Sequence, residues 1–224
     1  MPKKIALLFT GRIYQEQNRY DNIMRNLVDI QNKEYEIDIF ISHPKDVNDE
    51  LLQNVIKLYK PVVIIRNDEI YDEKRIEKYA TTPNINKHNI MSMWLSRYNL
   101  YNAFNEYVQE RNKQYGYDII VHLRMDNIFR EKFDLCTLQS HVDNNEMCIP
   151  NFCNQYDFCG GISDQIVVGN KETVEIWMKM FEKIYDILES SHVFHPETML
   201  KNYLQKYNAY SVHRFEMNYT WGKL

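Results

Sequence analysis

Tyr117-Asp118-Ile119-Ile120-Val121-His122-Leu123-Arg124-Met125-Asp126-Asn127-Ile128-Phe129 is the stretch from which the fold is read. Ile119, Ile120 and Val121 are β-branched residues in a short apolar run, the pattern of a strand buried on both faces. The run then breaks into Arg124-Met125-Asp126-Asn127, a cation and a carboxylate two residues apart. In an open α/β sheet, ligands collect just beyond the carboxyl ends of the strands. The stretch therefore predicts a site for an anion and, with Asp126, a metal. An ordinary strand end carrying an exposed ion pair fits the same residues.

The rest of the chain repeats the pattern. Ile5 to Phe9 reads as a strand ending in Thr10-Gly11-Arg12, where glycine permits a tight turn and close approach of a ligand. No second or third glycine stands at dinucleotide-fold spacing, so the Rossmann fingerprint is absent. Apolar positions at Ile23, Leu27, Val28 and Ile30 suit a helix, and Glu36 to Ser42 reads as the second strand. Strand, helix and strand in this order imply a right-handed parallel crossover. A helix from Asn48 to Tyr59 and a strand from Val62 to Ile65 follow, before Arg66. The charged, irregular segment from Asp68 to Asn89 reads as a lid or substrate loop. Ile90 to Val108 is an aromatic-rich helix in which Arg97 is expected to be a partly exposed cation. After the central strand, the chain offers Gly160-Gly161-Ile162-Ser163-Asp164-Gln165, a bend running into a strand that ends at Gly169. A helix from Glu172 to about Leu188, then His195-Pro196-Glu197, a further helix and a last strand around Ala209 to Phe215 complete it.

The bulk properties narrow the function. The 224 residues suffice for one domain, 1–224, with a sizeable core, and the composition is 44% hydrophobic and 26% charged with net charge −4. No basic excess or Lys/Arg block is present to neutralise phosphates, which argues against nucleic acid as a partner. No apolar run approaches the roughly 18 residues of a membrane span. Cys136, Cys148, Cys153 and Cys159 form no CxxC pair, and no secretory signal opens the chain, so reduced thiols in a cytoplasmic protein are expected.

The Gly-Arg turn after the first strand, Asp38-Ile39-Phe40-Ile41 in the second, Arg124-Met125-Asp126, Gly161-Ile162-Ser163-Asp164-Gln165 and His195-Pro196-Glu197 together resemble small glycosyltransferases of the GT-A type. The resemblance spans nearly the whole chain and implies an α/β/α sandwich around a mostly parallel, Rossmann-like sheet. It implies a nucleotide-diphosphate sugar donor (a UDP- or GDP-sugar), a glycan acceptor, and Mn²⁺ or Mg²⁺ held by an Asp-x-Asp motif. Here Arg124 stands where the first Asp would be, so only Asp126 carries over as a metal ligand, with His195 completing the shell ahead of His213. Asp164 takes the place of the base in similar inverting enzymes, and Glu197 is its rival. Thr10, Gly11, Arg12, Asp38, Arg66, Arg97, Arg124 and Asp126 are the expected donor-binding residues, and Asp157 the one nearest the acceptor.

The chemistry agrees. A departing diphosphate needs a divalent cation or an arginine, and the attacking hydroxyl needs a carboxylate to take its proton. Two other readings use the same scaffold: a non-catalytic nucleotide- or sugar-binding module, and a nucleotidyltransferase. The latter normally clusters two or more carboxylates around two metals, whereas the edge at Arg124-Met125-Asp126 offers one.

Overall fold

The structure, a computed structural model, describes residues 3–13, 16–31, 35–68, 71–81, 86–111, 116–151, 161–191, 193–207 and 211–221. Its strands are β1 (Lys3–Thr10), β2 (Tyr35–Pro44), β3 (Val63–Asn67), β4 (Ala80–Thr81), β5 (Ile119–Arg124), β6 (Asn127–Phe129), β7 (Met147–Pro150), β8 (Ile166–Gly169), β9 (Val193–Phe194), β10 (Val212–Phe215) and β11 (Tyr219–Trp221). Seven of them form the main sheet in the order β10-β7-β8-β5-β1-β2-β3. All neighbours pair in parallel except β8, which runs antiparallel to both β5 and β7.

Strand β1 shows why the sheet lies between two helical layers. Ile5, Leu7 and Phe9 point to one face and Ala6 and Leu8 to the other, and none is more than 1% exposed. Each large side chain so buried contributes about 1.5–3 kcal/mol. The Ile5 face packs on the helical stretch 16–31 and on helix Asp49–Tyr59, through Ile23, Leu27, Val55 and Tyr59. The opposite face packs on helix Lys87–Glu110, the helices between 171 and 191, and helix Pro196–Tyr207, through Trp94, Phe104, Trp177 and Met199. The result is the expected α/β/α sandwich around a mostly parallel sheet.

Side-chain amides fasten the first layer to the segment just past β5. Asn22 donates to the Phe129 carbonyl (2.9 Å) and accepts from the Phe129 N–H (2.8 Å), and Gln31 donates to the Phe133 carbonyl (2.9 Å). Within this helical stretch, Met24–Val28 widens into a π-turn. Strand β6 is held on its other side by β11, antiparallel.

One local expectation changes. The stretch expected as an irregular lid contains helix Glu73–Glu77 and β4, which pairs with β9; Arg75 reaches Glu189 (2.8 Å) and stacks on Tyr185. Of the turn Thr81-Thr82-Pro83-Asn84 that the sequence suggests, Thr81 falls in β4 and residues 82–84 lie outside the described residues. Between Phe133 and Pro150 lie two short helical turns and β7. Short elements of two to five residues carry too few side chains to display a period.

Gly169 closes β8 where the next helix folds back over it, and a Cβ there would lie 2.1 Å from Thr173 Oγ1. That hydroxyl is held by Asn170 at the helix start, so it cannot turn aside without losing its bond. Gly169→Ala is expected to cost about 1–3 kcal/mol in urea unfolding, with part of the loss restored by adding Thr173→Ala.

Candidate functional site

The carboxyl ends of β1, β2, β3 and β5 open into a cavity of about 540 Å³, walled on the far side by helix Lys87–Glu110 and by the start of helix Pro196–Tyr207. That volume suits a cofactor-sized ligand.

Strand β1 ends in Thr10, with Gly11 and Arg12 beyond it. Gly11 has φ +104°, a conformation that side chains with a Cβ rarely adopt. The Met125 N–H donates to the Thr10 carbonyl (2.8 Å), so β1 and β5 run out together and bring Gly11 beside Arg124. Arg124 turns back on its own loop: Nε and Nη2 donate to Asp126 Oδ1 and Oδ2 at 2.8 and 2.6 Å. Thr10 Oγ1 lies 2.9 Å from Nε2 of the buried His122. Burial, reinforced by Arg97 and Arg124, pushes His122 well below the usual histidine range, so the ring is neutral.

The opposite wall is organised by Arg97. It is fully buried, with its guanidinium 4.2 Å over the Trp94 ring. Nη2 donates to the Asp164 carbonyl (2.6 Å) and to Asp164 Oδ2 (3.3 Å), while Gln165 Nε2 donates to Oδ1 (2.9 Å). Burial lowers the Arg97 guanidinium to about 10, against the opposing pull of Asp164, which leaves it charged at neutral pH.

Glu197 completes this wall. A Cβ on Gly161 would sit 2.5 Å from the Glu197 Cβ, and the Ile162 N–H donates to the Glu197 carbonyl (3.1 Å). Only glycine at 161 lets the Asp164 turn lie this close to the helix. Burial, and then the negative charge of Asp164, push the Glu197 carboxyl up to about 7. His195 Nδ1 lies 3.3 Å from Glu197 Oε2 and 3.2 Å from Thr198 Oγ1, and burial lowers its pKa.

The cavity thus gathers Thr10, Gly11, Arg12, Arg124, Asp126, Asp164 and Glu197. Arg97 stands behind it, buried where partial exposure was expected. Two expected residues are elsewhere. Asp38 lies six residues before the end of β2 and accepts from the Tyr117 hydroxyl (2.6 Å). Arg66 is exposed and pairs with Asp68 (3.2 Å), because its neighbour Asn67 has the strand parity that faces the cavity. Asp157, Cys153, Cys159 and Gly160 lie outside the described residues. Lys45, Asp46, Asn67 and Ser96 line the cavity without having been singled out, although Lys45 and Asn67 both stand at strand ends. Arg19 was also missed: it is 1% exposed and feels the charge of Asp126.

Mouse xyloside xylosyltransferase 1, in its apo form, superposes with a TM-score of 0.53 at 11% identity, covering 95% of this chain and 85% of that one. The galactosyltransferase LgtC, solved with donor and acceptor sugar analogs, does so with 0.53 at 14% identity, covering 93% and 72%. This chain has a GT-A-type fold. The glycosyltransferase GlyE of Streptococcus pneumoniae TIGR4 aligns with 94% of this chain at 17% identity and a TM-score of 0.46, and the chain spans 45% of its length. No family model matches the sequence, and no curated protein does.

The two expected metal ligands already have protein partners. Both Asp126 oxygens are occupied by the Arg124 fork, and Arg19 adds a second positive charge nearby. His195 Nδ1 is turned to Glu197 and Thr198. Asp126 and His195, the two expected ligands, are thus each engaged with protein partners.

Arg97→Met would strand the Asp164 carboxylate in the interior. It is expected to cost about 3–5 kcal/mol in chemical unfolding, and Arg97→Met/Asp164→Asn to cost less than Arg97→Met alone. Simply additive losses would show that the two groups are not coupled.

Proposed function

We propose that this chain, as a single transferase domain over residues 1–224, moves a sugar from a nucleotide-diphosphate sugar, a UDP- or GDP-sugar, to a hydroxyl of a glycan acceptor. The observation that carries the reading is one cavity with a cationic rim of Arg12, Lys45 and Arg124 on one side and the acids Asp164 and Glu197 on the other. The GT-A-type fold supports it.

In this reading the diphosphate lies at the carboxyl ends of β1 and β5, where Gly11 lets it approach the main chain. Arg124 and Arg12 meet the negative charge that grows as the bond from the anomeric carbon to the phosphate oxygen breaks. The electron pair leaves with the diphosphate. The acceptor oxygen forms the new bond to the anomeric carbon from the opposite face, and its proton passes to a carboxylate, which inverts the configuration. Glu197 is the better base: its pKa near neutrality combines a fraction ionised with real affinity for the proton. Asp164, whose oxygens are engaged by Arg97 and Gln165, serves as the fixed charge that raises it. The rim cations supply the stabilisation that a metal would otherwise give, and no step passes through one.

Release of nucleoside diphosphate from candidate sugar nucleotides tests the reading. The rate is expected to rise with pH through an apparent pKa of about 7 and to fall by roughly 10²–10⁴-fold in Glu197→Gln, with donor binding retained. A module that only binds would turn over no donor, and Glu197→Gln would change nothing. A nucleotidyltransferase would release pyrophosphate instead. Because the folded-state pKa of Glu197 lies above its ordinary value, the protonated form stabilises the fold. That stability is complete below the ordinary carboxylate range and is lost as pH rises through about 7. Thermal unfolding of wild type should therefore weaken between about pH 5 and 8, and Glu197→Gln should flatten the decline.

A further inference from the structure

A second cluster lies at the other end of the sheet. Strands β7 and β10 run parallel to β5, so the residues at their starts sit on the edge opposite the cavity. There His141, Glu146 and His213 bring one donor atom each to within 4.8 Å of one another. Among the described residues no other group of three His, Cys, Asp or Glu side chains converges in this way. We propose that these three residues bind one divalent transition-metal ion of the zinc class.

The three come from separate elements that the backbone holds in place. His141 lies on helix Gln139–Asp143, and the Glu146 N–H donates to the His141 carbonyl (2.9 Å) across a turn in which Asn145 adopts φ +58°. His213 is held opposite Cys148 in the β7–β10 ladder, on the face that Glu146 also shares by strand parity. His141 Nδ1 lies 2.5 Å from Glu146 Oε2. The His141 and His213 rings lie face to face, with centroids 3.4 Å apart and planes 17° from parallel.

The chemistry of the donors selects the ion. Two imidazole nitrogens and one carboxylate oxygen suit Zn²⁺, whereas Mg²⁺ and Ca²⁺ prefer oxygen. Zinc bonds of about 2.0–2.1 Å require the two rings to turn out of their stack so that a nitrogen of each faces the ion. All three side chains are only partly buried, which leaves room for that rotation and leaves a fourth position open to solvent.

Zinc chloride titrated into chelator-treated protein tests the site, by calorimetry and by counting zinc retained after desalting. One zinc per chain is expected. His213→Gln and His141→Gln should each weaken binding by at least about 10-fold, while Asp126→Asn, at the cavity, should bind as wild type does. Absence of saturable binding would overturn the proposal and leave a His–Glu ion pair. Wild-type affinity in both histidine variants, or loss in Asp126→Asn, would overturn it equally by placing the zinc elsewhere. Matching unfolding temperatures of the zinc-free proteins exclude a folding defect as the cause.

Discussion

The buried pair between Arg97 and Asp164 is the constraint around which the cavity is arranged. A guanidinium with no exposed surface costs several kcal/mol in lost hydration unless it is paired and hydrogen-bonded. Arg97 meets that requirement through the main chain and the side chain of Asp164 at once, and through the Trp94 ring beneath it. Helix Lys87–Glu110 and the turn before β8 are thereby locked together. Gly161, three residues earlier in the turn, then allows Glu197 to pack against it. The chain of contacts from a helix arginine to a helix-start glutamate sets both the shape of the wall and the pKa of its acid.

The facing wall uses the opposite device. There the arginine is at the rim and the carboxylate is nearly buried, and the two are joined in a bidentate fork. Arg124 occupies the place where the GT-A resemblance puts an aspartate, and the substitution reverses the sign of the group at the strand end. A carboxylate pair gathers a cation to meet a diphosphate. In the proposed reading an arginine meets it directly, and Asp126 fixes the plane of the guanidinium. The zinc-class cluster at His141, Glu146 and His213 stands on the far edge of the sheet and takes no part in this arrangement.

Much of this was legible in the letters. Ile119 to Val121 announced a strand buried on both faces, and the polar break after it placed Arg124 and Asp126 at a rim, because alternation and burial are local properties. Gly11 and Gly161 were visible as bends, although only the structure shows that the first needs a positive φ and the second makes room for Glu197. The misplacements follow from long-range geometry. Arg97 sits among aromatic residues in a helix whose depth depends on what packs over it, so its full burial could not be read from its neighbours. Arg66 and Asn67 differ by one step of strand parity, which decides the face and is fixed by register with β2. Asp38 belongs to the right strand at the wrong height. The reversed direction of β8 leaves no mark in its four residues, since a short buried strand has the same composition either way.

The central claim is that an arginine-lined rim, acting without a divalent cation, receives a nucleoside diphosphate. Calorimetric titration of UDP and GDP into the protein, in the presence of a chelator and again with added Mn²⁺, measures this directly, with Arg124→Met as the comparison. The account predicts saturable binding of one nucleotide under chelation, little changed by Mn²⁺ and weakened by about 10-fold or more in Arg124→Met, the loss of roughly 1.4 kcal/mol or more. Binding that appears only with Mn²⁺, or that survives the loss of Arg124 undiminished, would contradict it.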